Sequence, residues 1–160
     1  MIGVIIQARM GATRLPGKIL KKLGDHALLD FQISRIKEAK NIDTIVVATT
    51  VEDADDEIED FCNEKGIPCF RGSENDVLSR YYECARDNKF ETIVRLTADC
   101  PLIDPAVIDK VVTLFFEEKV EYCSNTVPPE TSFWPDGSDV EVFSFAALEQ
   151  AHRNATKLED

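Results

Sequence analysis

Three cations and two glycines stand directly behind the first apolar run of this chain. Ile5-Ile6-Gln7-Ala8 leads into Arg9-Met10-Gly11-Ala12-Thr13-Arg14-Leu15-Pro16-Gly17-Lys18. Small residues at Gly11, Ala12 and Gly17 let backbone amides come close to phosphate oxygens. Arg9, Arg14 and Lys18 can give charge-assisted hydrogen bonds, and Thr13 adds a hydroxyl donor. Lys21 and Lys22 follow, and no acidic residue appears before Asp25, although the whole chain carries a net charge of −12. A wholly basic segment in so acidic a protein reads as a site for a small, highly charged anion, with a nucleoside triphosphate as first candidate. The plainer alternative, a solvated surface loop, does not explain why the cations follow a buried strand so directly. Two familiar phosphate motifs fail on spacing. A P-loop needs four residues between its glycines and Ser or Thr after the lysine, whereas five separate Gly11 from Gly17 and Ile19 follows Lys18. The dinucleotide pattern G-x-G-x-x-G is absent.

The second chemical feature is Asp99, in Ala98-Asp99-Cys100-Pro101 behind another apolar run. One carboxylate can hold a magnesium ion whose other ligands are phosphates and water. A turn-capping aspartate is the competing use, and pairing with the basic loop favours the metal. Asp104 before Pro105 is explained by helix capping alone. Asp139 and Glu141 stand two apart on an expected strand, so both point to one face. They could hold a metal or substrate hydroxyls, or simply form the polar side of an edge strand. Asp53-Ala54-Asp55 spells D-x-D, but at a helix start it reads as dipole stabilisation. His26 and His152 have no credible nucleophile beside them, which argues against a Ser-His-Asp or Cys-His hydrolase. Phe133 and Trp134 could cover a base or sugar, or pack their own loop.

These groups need a frame, and the hydrophobic pattern supplies one. Residues 3–8, 44–49, 68–71 and 92–97 read as strands, the first two buried on both faces. Residues 28–40 read as a helix with Leu29, Ile33 and Ile36 inward. Residues 53–65 form an acidic helix with Ala54, Ile58, Phe61 and Cys62 inward and Gly66 as its stop. Residues 76–88 form a helix on Val77, Leu78, Tyr81, Cys84 and Ala85. A further helix opens at Asp104-Pro105 on Ile108, Val111, Val112 and Phe115. Such β-α alternation implies a mainly parallel sheet covered by helices. After Cys123 the rhythm breaks. Residues 125–137, with three prolines, read as a long ordered loop of the kind that forms lids. A weak strand at 139–143 and a helix at 145–152, capped by Ser144, close the chain. Ligands of open α/β sheets bind beyond the carboxyl ends of the strands, so the loops after the first and fourth strands should meet.

Composition narrows the functional classes. With 160 residues, 44% hydrophobic and 30% charged, the chain suits one globular domain with a real core. The acidic balance argues against a nucleic-acid partner, which needs a broad basic surface. The apolar runs are too short to span a membrane and residues 1–8 lack signal-peptide features, which implies a cytoplasmic protein. Five scattered cysteines without C-x-x-C imply free thiols in a reducing compartment rather than zinc or disulfides.

Taken together, residues 6–18 closely resemble the signature loop of the sugar-acid cytidylyltransferases, a group that includes CMP-Kdo synthetase and, more distantly, CMP-sialic acid synthetase. Within that group the chain is most similar to the spore-coat polysaccharide branch. Three later segments resemble it in the same order: Glu74-Asn75-Asp76-Val77-Leu78-Ser79-Arg80-Tyr81, Arg95-Leu96-Thr97-Ala98-Asp99-Cys100-Pro101 and Asp136-Gly137-Ser138-Asp139-Val140-Glu141-Val142-Phe143. The resemblance implies a three-layer, Rossmann-like fold of the GT-A nucleotide-diphospho-sugar transferase kind. It also implies transfer of CMP from CTP to a sugar or sugar acid, with release of pyrophosphate. Arg9 and Lys18 would grip the triphosphate, and Asp99 would hold magnesium. Ala8, Gly11, Ala12, Thr13, Arg14, Asn75, Asp76, Arg80 and Thr97 would line the nucleotide; Asp136, Asp139 and Glu141 would face the sugar.

The chain departs from this family at two points. Ala12 stands where the family often has serine, which removes one hydroxyl. Family members are usually longer, with a later segment that supplies a dimerisation element and another metal-binding aspartate. The expectation is therefore a single nucleotidyltransferase domain lacking a C-terminal segment, homodimeric when full length. A related glycosyltransferase, another sugar nucleotidyltransferase and a non-catalytic nucleotide-binding module are the alternatives.

Overall fold

The computed structural model describes residues 1–11, 15–126, 134–135, 137 and 138–156. Its first strand, β1 (Ile2–Gln7), buries its four central residues, as expected of a strand covered on both faces. It pairs in parallel with β4 (Thr44–Thr50) on one side and β6 (Thr92–Thr97) on the other, and β5 (Cys69–Gly72) extends the sheet beyond β4. Beyond β6 lie β8 (Glu141–Ser144), antiparallel, and β7 (Tyr122–Ser124) at the edge. The order is β5-β4-β1-β6-β8-β7. A small separate hairpin joins β2 (Lys22–Leu23) to β3 (His26–Ala27).

Alternate β1 residues sort the helices into two layers. Val4 and Ile6 share a core with α1 (Leu28–Ile36), α2 (Asp56–Lys65) and α4 (Pro105–Glu117). Ile5 faces the other way, toward α3 (Val77–Asp87) and α5 (Phe145–Asn154). The expected three-layer, mainly parallel α/β architecture is what the chain adopts. Gly3 shows how tightly the second layer is packed, for a Cβ there would stand 2.3 Å from the Phe90 ring. Among the described residues no helix is long and apolar enough to cross a membrane. The five cysteines are free, three of them buried.

Capping behaves as the sequence suggests at several ends. Gly66 ends α2 in the left-handed region at φ 66°, Asp104 caps α4 through the Ala106 amide, and Ser144 caps α5 through the Ala147 amide. Four differences have local causes. Helix α1 stops at Ile36 because the Glu38 and Ala39 amides turn to carbonyls three residues back, Arg35 O and Ile36 O, while Asp109 captures those of Lys40 and Asn41. Residues 53–55 form a 3₁₀ turn before α2 rather than its first turn. Strand β8 begins at Glu141 because Asn125 takes the Val140 amide at 2.9 Å. The short β7 and the hairpin carry too few residues to leave a periodic signal.

Candidate active site

The strand order reverses direction between β1 and β6, and the carboxyl ends of these two strands form the crevice where open α/β sheets bind ligands. Two loops leave from that point. The basic loop is held at its neck by three backbone contacts: the Ala8 amide donates to Ala48 O, the Gly17 amide to Met10 O and the Lys18 amide to Leu15 O. Gly17 sits at φ 66°, which glycine alone adopts cheaply. A single 3₁₀ turn follows, Lys18–Leu20, anchored by the buried Ile19. That turn aims Lys18 across the crevice, where its Nζ donates to Asp99 Oδ2 at 2.9 Å. The two loops expected to converge are thus in direct contact.

Asp99 stays about half exposed in the pair, and Lys18 about one third. The Lys18 ammonium holds the Asp99 carboxyl below the usual carboxylate range; partial burial opposes this and a Thr97 hydrogen bond adds to it. Asp99 is therefore ionised at neutral pH. Behind it, the Cys100 thiol lies 3.3 Å from Thr97 Oγ1 and 3.8 Å from Asp99 Oδ1. The Thr97 carbonyl accepts from the buried Gln32 side chain at 2.8 Å, a contact that gave no periodic signal because Gln32 sits on the inward face of α1. Asp139 is exposed and close enough for its charge to raise the Cys100 thiol.

The other expected site residues fall into three groups. Ala8 is buried at the root of the basic loop, whereas Arg9 and Gly11 are exposed on it; Ala12, Thr13 and Arg14 lie outside the described residues, as do Asp136 and most of the proline-rich loop. Asn75 is exposed beside α3. Asp76 caps that helix through the Ser79 amide at 2.7 Å. Arg80 is 1% exposed, yet among the described residues its guanidinium meets no carboxylate and its buried Nε finds no partner; it donates to Ser73 O at 2.7 Å. Burial holds Arg80 below the usual guanidinium value, and the nearby charge of Arg9 adds to this. Arg9 and Arg80 are thus close enough for their charges to repel. Glu141 turns instead to Arg95, with 2.5 Å between Oε2 and Nη1. Asp139 lies before strand β8, which starts only at Glu141.

Asp55 is the residue the sequence placed wrongly. The helical pattern put Ala54 inside and left Asp55 to the helix dipole; in the structure Ala54 is exposed and Asp55 is 2% exposed. Its carboxylate caps no amide of its own helix. Oδ1 accepts from the Met10 amide at 2.7 Å, and Oδ2 from the Thr49 hydroxyl, the Thr50 amide and the Thr50 hydroxyl at 2.9, 3.1 and 2.5 Å. Burial alone would raise its pKa; the donated hydrogen bonds from Met10, Thr50 and Thr49 outweigh it and hold the carboxyl low.

Among the described residues no group of three or more His, Cys, Asp or Glu could hold a metal. Asp99 is a single, ionised, accessible oxygen donor. That suits a hard cation which takes most of its ligands from phosphate and water.

An α/β sheet with a basic loop and an opposed carboxylate at its switch point has the arrangement in which open α/β sheets take ligands. The chain belongs to the cytidylyltransferase family, whose model matches residues 3–160. It is 42% identical over 151 residues to an uncharacterised protein of Methanocaldococcus jannaschii, covering 94% of this chain and 60% of that one. It is 41% identical over 122 residues to the spore coat polysaccharide biosynthesis protein SpsF of Bacillus subtilis, covering 74% of this chain and 51% of SpsF. A 3-deoxy-manno-octulosonate cytidylyltransferase of Fusobacterium nucleatum is 30% identical, over 72% of this chain and 46% of its own length. The solved structure of a cytidylyltransferase from Leptospira borgpetersenii superposes with a TM-score of 0.91 at 39% identity, covering 99% of this chain and 66% of that one. The fold is the Rossmann-like one of the nucleotide-sugar transferases. The chain spans about half to three-fifths of the length of these curated relatives.

Proposed function

We propose that this chain is the CTP-binding domain of an enzyme that transfers CMP from CTP to a hydroxyl of a sugar or sugar acid, for surface polysaccharide synthesis. The observation that carries the reading is the 2.9 Å contact between Lys18 and Asp99 at the switch point. It supports the reading because a cation able to meet a triphosphate stands beside a carboxylate able to hold its metal. The family supports CTP as donor, and the relatives named for spore-coat polysaccharide and 3-deoxy-manno-octulosonate support a sugar or sugar acid as acceptor.

The chemistry asks for little covalent help. The acceptor oxygen attacks the α-phosphorus of CTP in line, its proton leaves, and the bond from that phosphorus to the bridging oxygen breaks to release pyrophosphate. Lys18, Arg9 and the loop amides at Gly11, Ala12 and Thr13 hold the phosphates in place and balance the charge that builds on the leaving group. Asp99 would hold magnesium, which supplies further charge neutralisation when bound. Thr97 and Cys100 keep the Asp99 carboxylate in position. Asn75, Asp76 and Arg80 shape the nucleotide side of the crevice, and Asp139 faces the acceptor side. The reading includes a cytoplasmic enzyme that acts as a homodimer.

The test is a pyrophosphate-release screen in magnesium with CTP, UTP, GTP or ATP and a panel of sugars and sugar acids. Release with CTP and one acceptor class is expected. Release with another nucleotide but not with CTP would replace the assignment.

A further inference from the structure

We propose that Asp55, supplied by the second β-α unit, is the positioning residue of the basic loop, holding its neck through the Met10 amide so that Lys18 meets the triphosphate. This rests on the reading of that loop as the CTP grip. Met10 is fastened on both sides. Its amide donates to Asp55 Oδ1 at 2.7 Å, and its carbonyl accepts from the Gly17 amide at 3.0 Å. The loop therefore leaves and returns through one clamped peptide, and Lys18 is the next residue after the return.

Asp55 has no local reason to be buried. A carboxylate at a helix start is stable in water against the dipole, and burying it is costly unless every oxygen is satisfied. Here one oxygen is devoted to a residue 45 positions away in sequence. The other fastens the carboxylate to the end of β4 through Thr49 and Thr50. The same carboxylate lies within electrostatic range of Arg80, the second buried charge beside the crevice. Asp55 thus ties β4 and the basic loop to one point. It touches no reacting atom; it acts through Met10.

The two oxygens allow a test that separates positioning from stability. CTP affinity is measured by isothermal titration with magnesium and no acceptor, and Tm by thermal unfolding. Asp55→Ala removes both contacts and should weaken CTP about tenfold or more, the loss expected from a hydrogen bond to a charged group. Asp55→Asn can still accept from Met10 but leaves the Thr50 amide unpaired. It should lower Tm while keeping CTP affinity within about threefold of the parent protein. Thr50→Val should lower Tm without changing affinity. If Asp55→Ala does not fold, Asp55→Ser, too short to reach Met10, carries the same expectation. Parent-like CTP affinity in folded Asp55→Ala or Asp55→Ser would overturn the proposal. So would a loss in Asp55→Asn or Thr50→Val as large as that in Asp55→Ala. Failure of the parent protein to bind CTP would instead strike at the functional reading.

Discussion

The carboxylates at the two ends of the central strands are put to opposite uses. Around the turn that feeds β4, three acids are spent on backbone. Asp109 accepts from the Lys40 and Asn41 amides at 2.8 Å each, and Asp43 takes the Ile2 amide at 2.7 Å. Glu91 pairs with the chain's amino terminus. At the opposite end, where the parallel strands finish, Asp99 meets a lysine side chain, a threonine hydroxyl and the Cys100 thiol, and half of it remains open. Arg9 is exposed there, and Arg80 is buried with no ion-pair partner among the described residues. At the first end these acids close the fold; at the second Asp55 does so as well, through the Met10 and Thr50 amides, while Asp99 keeps charge available. A site is marked by what its charged groups leave unpaired.

The largest expected effect that would break this contrast is at Lys18. Lys18→Ala in an active full-length protein should cut turnover on the order of 10²-fold, the usual loss for one preorganised charge contact. Tm should hardly move, because a half-exposed ion pair stabilises little. Parent-like steady-state rates, or a large fall in Tm, would place Lys18 with the structural acids instead. Asp109→Ala should do the reverse. Losing the acceptor for two amides should cost about 1–2 kcal/mol of stability, read by urea unfolding, with kcat and KM for CTP unchanged.

A smaller effect concerns acid. Asp99 and Asp55 are both held below the ordinary carboxylate value of about 4. Each therefore favours the folded state above that pH and loses its contribution as pH falls through its lower, folded value. The Tm should be flat from neutral pH down to about 5 and then decline. The Asp55→Asn variant should show a shallower decline, whereas an unchanged slope would remove Asp55 from the acid response.

The basic loop and Asp99 were legible because phosphate chemistry needs cations and glycines close together in sequence, and because topology sends the loops after β1 and β6 to one place. Asp55 and Gln32 were not. Each is a polar residue buried by a partner far along the chain, and helical periodicity assigns polar residues outward. The pairing of Glu141 with Arg95 was hidden for a related reason: a carboxylate looks available in sequence until the neighbouring strand supplies its partner.

By itself, then, the sequence determined the alternation of strands and helices, most of the core stripes, the helix caps at Asp104 and Ser144, and the basic segment behind the first strand. All of these follow from local propensity, hydrophobic period and short-range chemistry. Only the tertiary structure decided where β8 begins once Asn125 captures an amide, how the chain leaves α1 once Asp109 captures two, which acids are spent and which stay open, and that a buried aspartate from another unit clamps the loop. Those outcomes depend on hydrogen bonds between residues tens of positions apart, and a one-dimensional pattern carries no record of them.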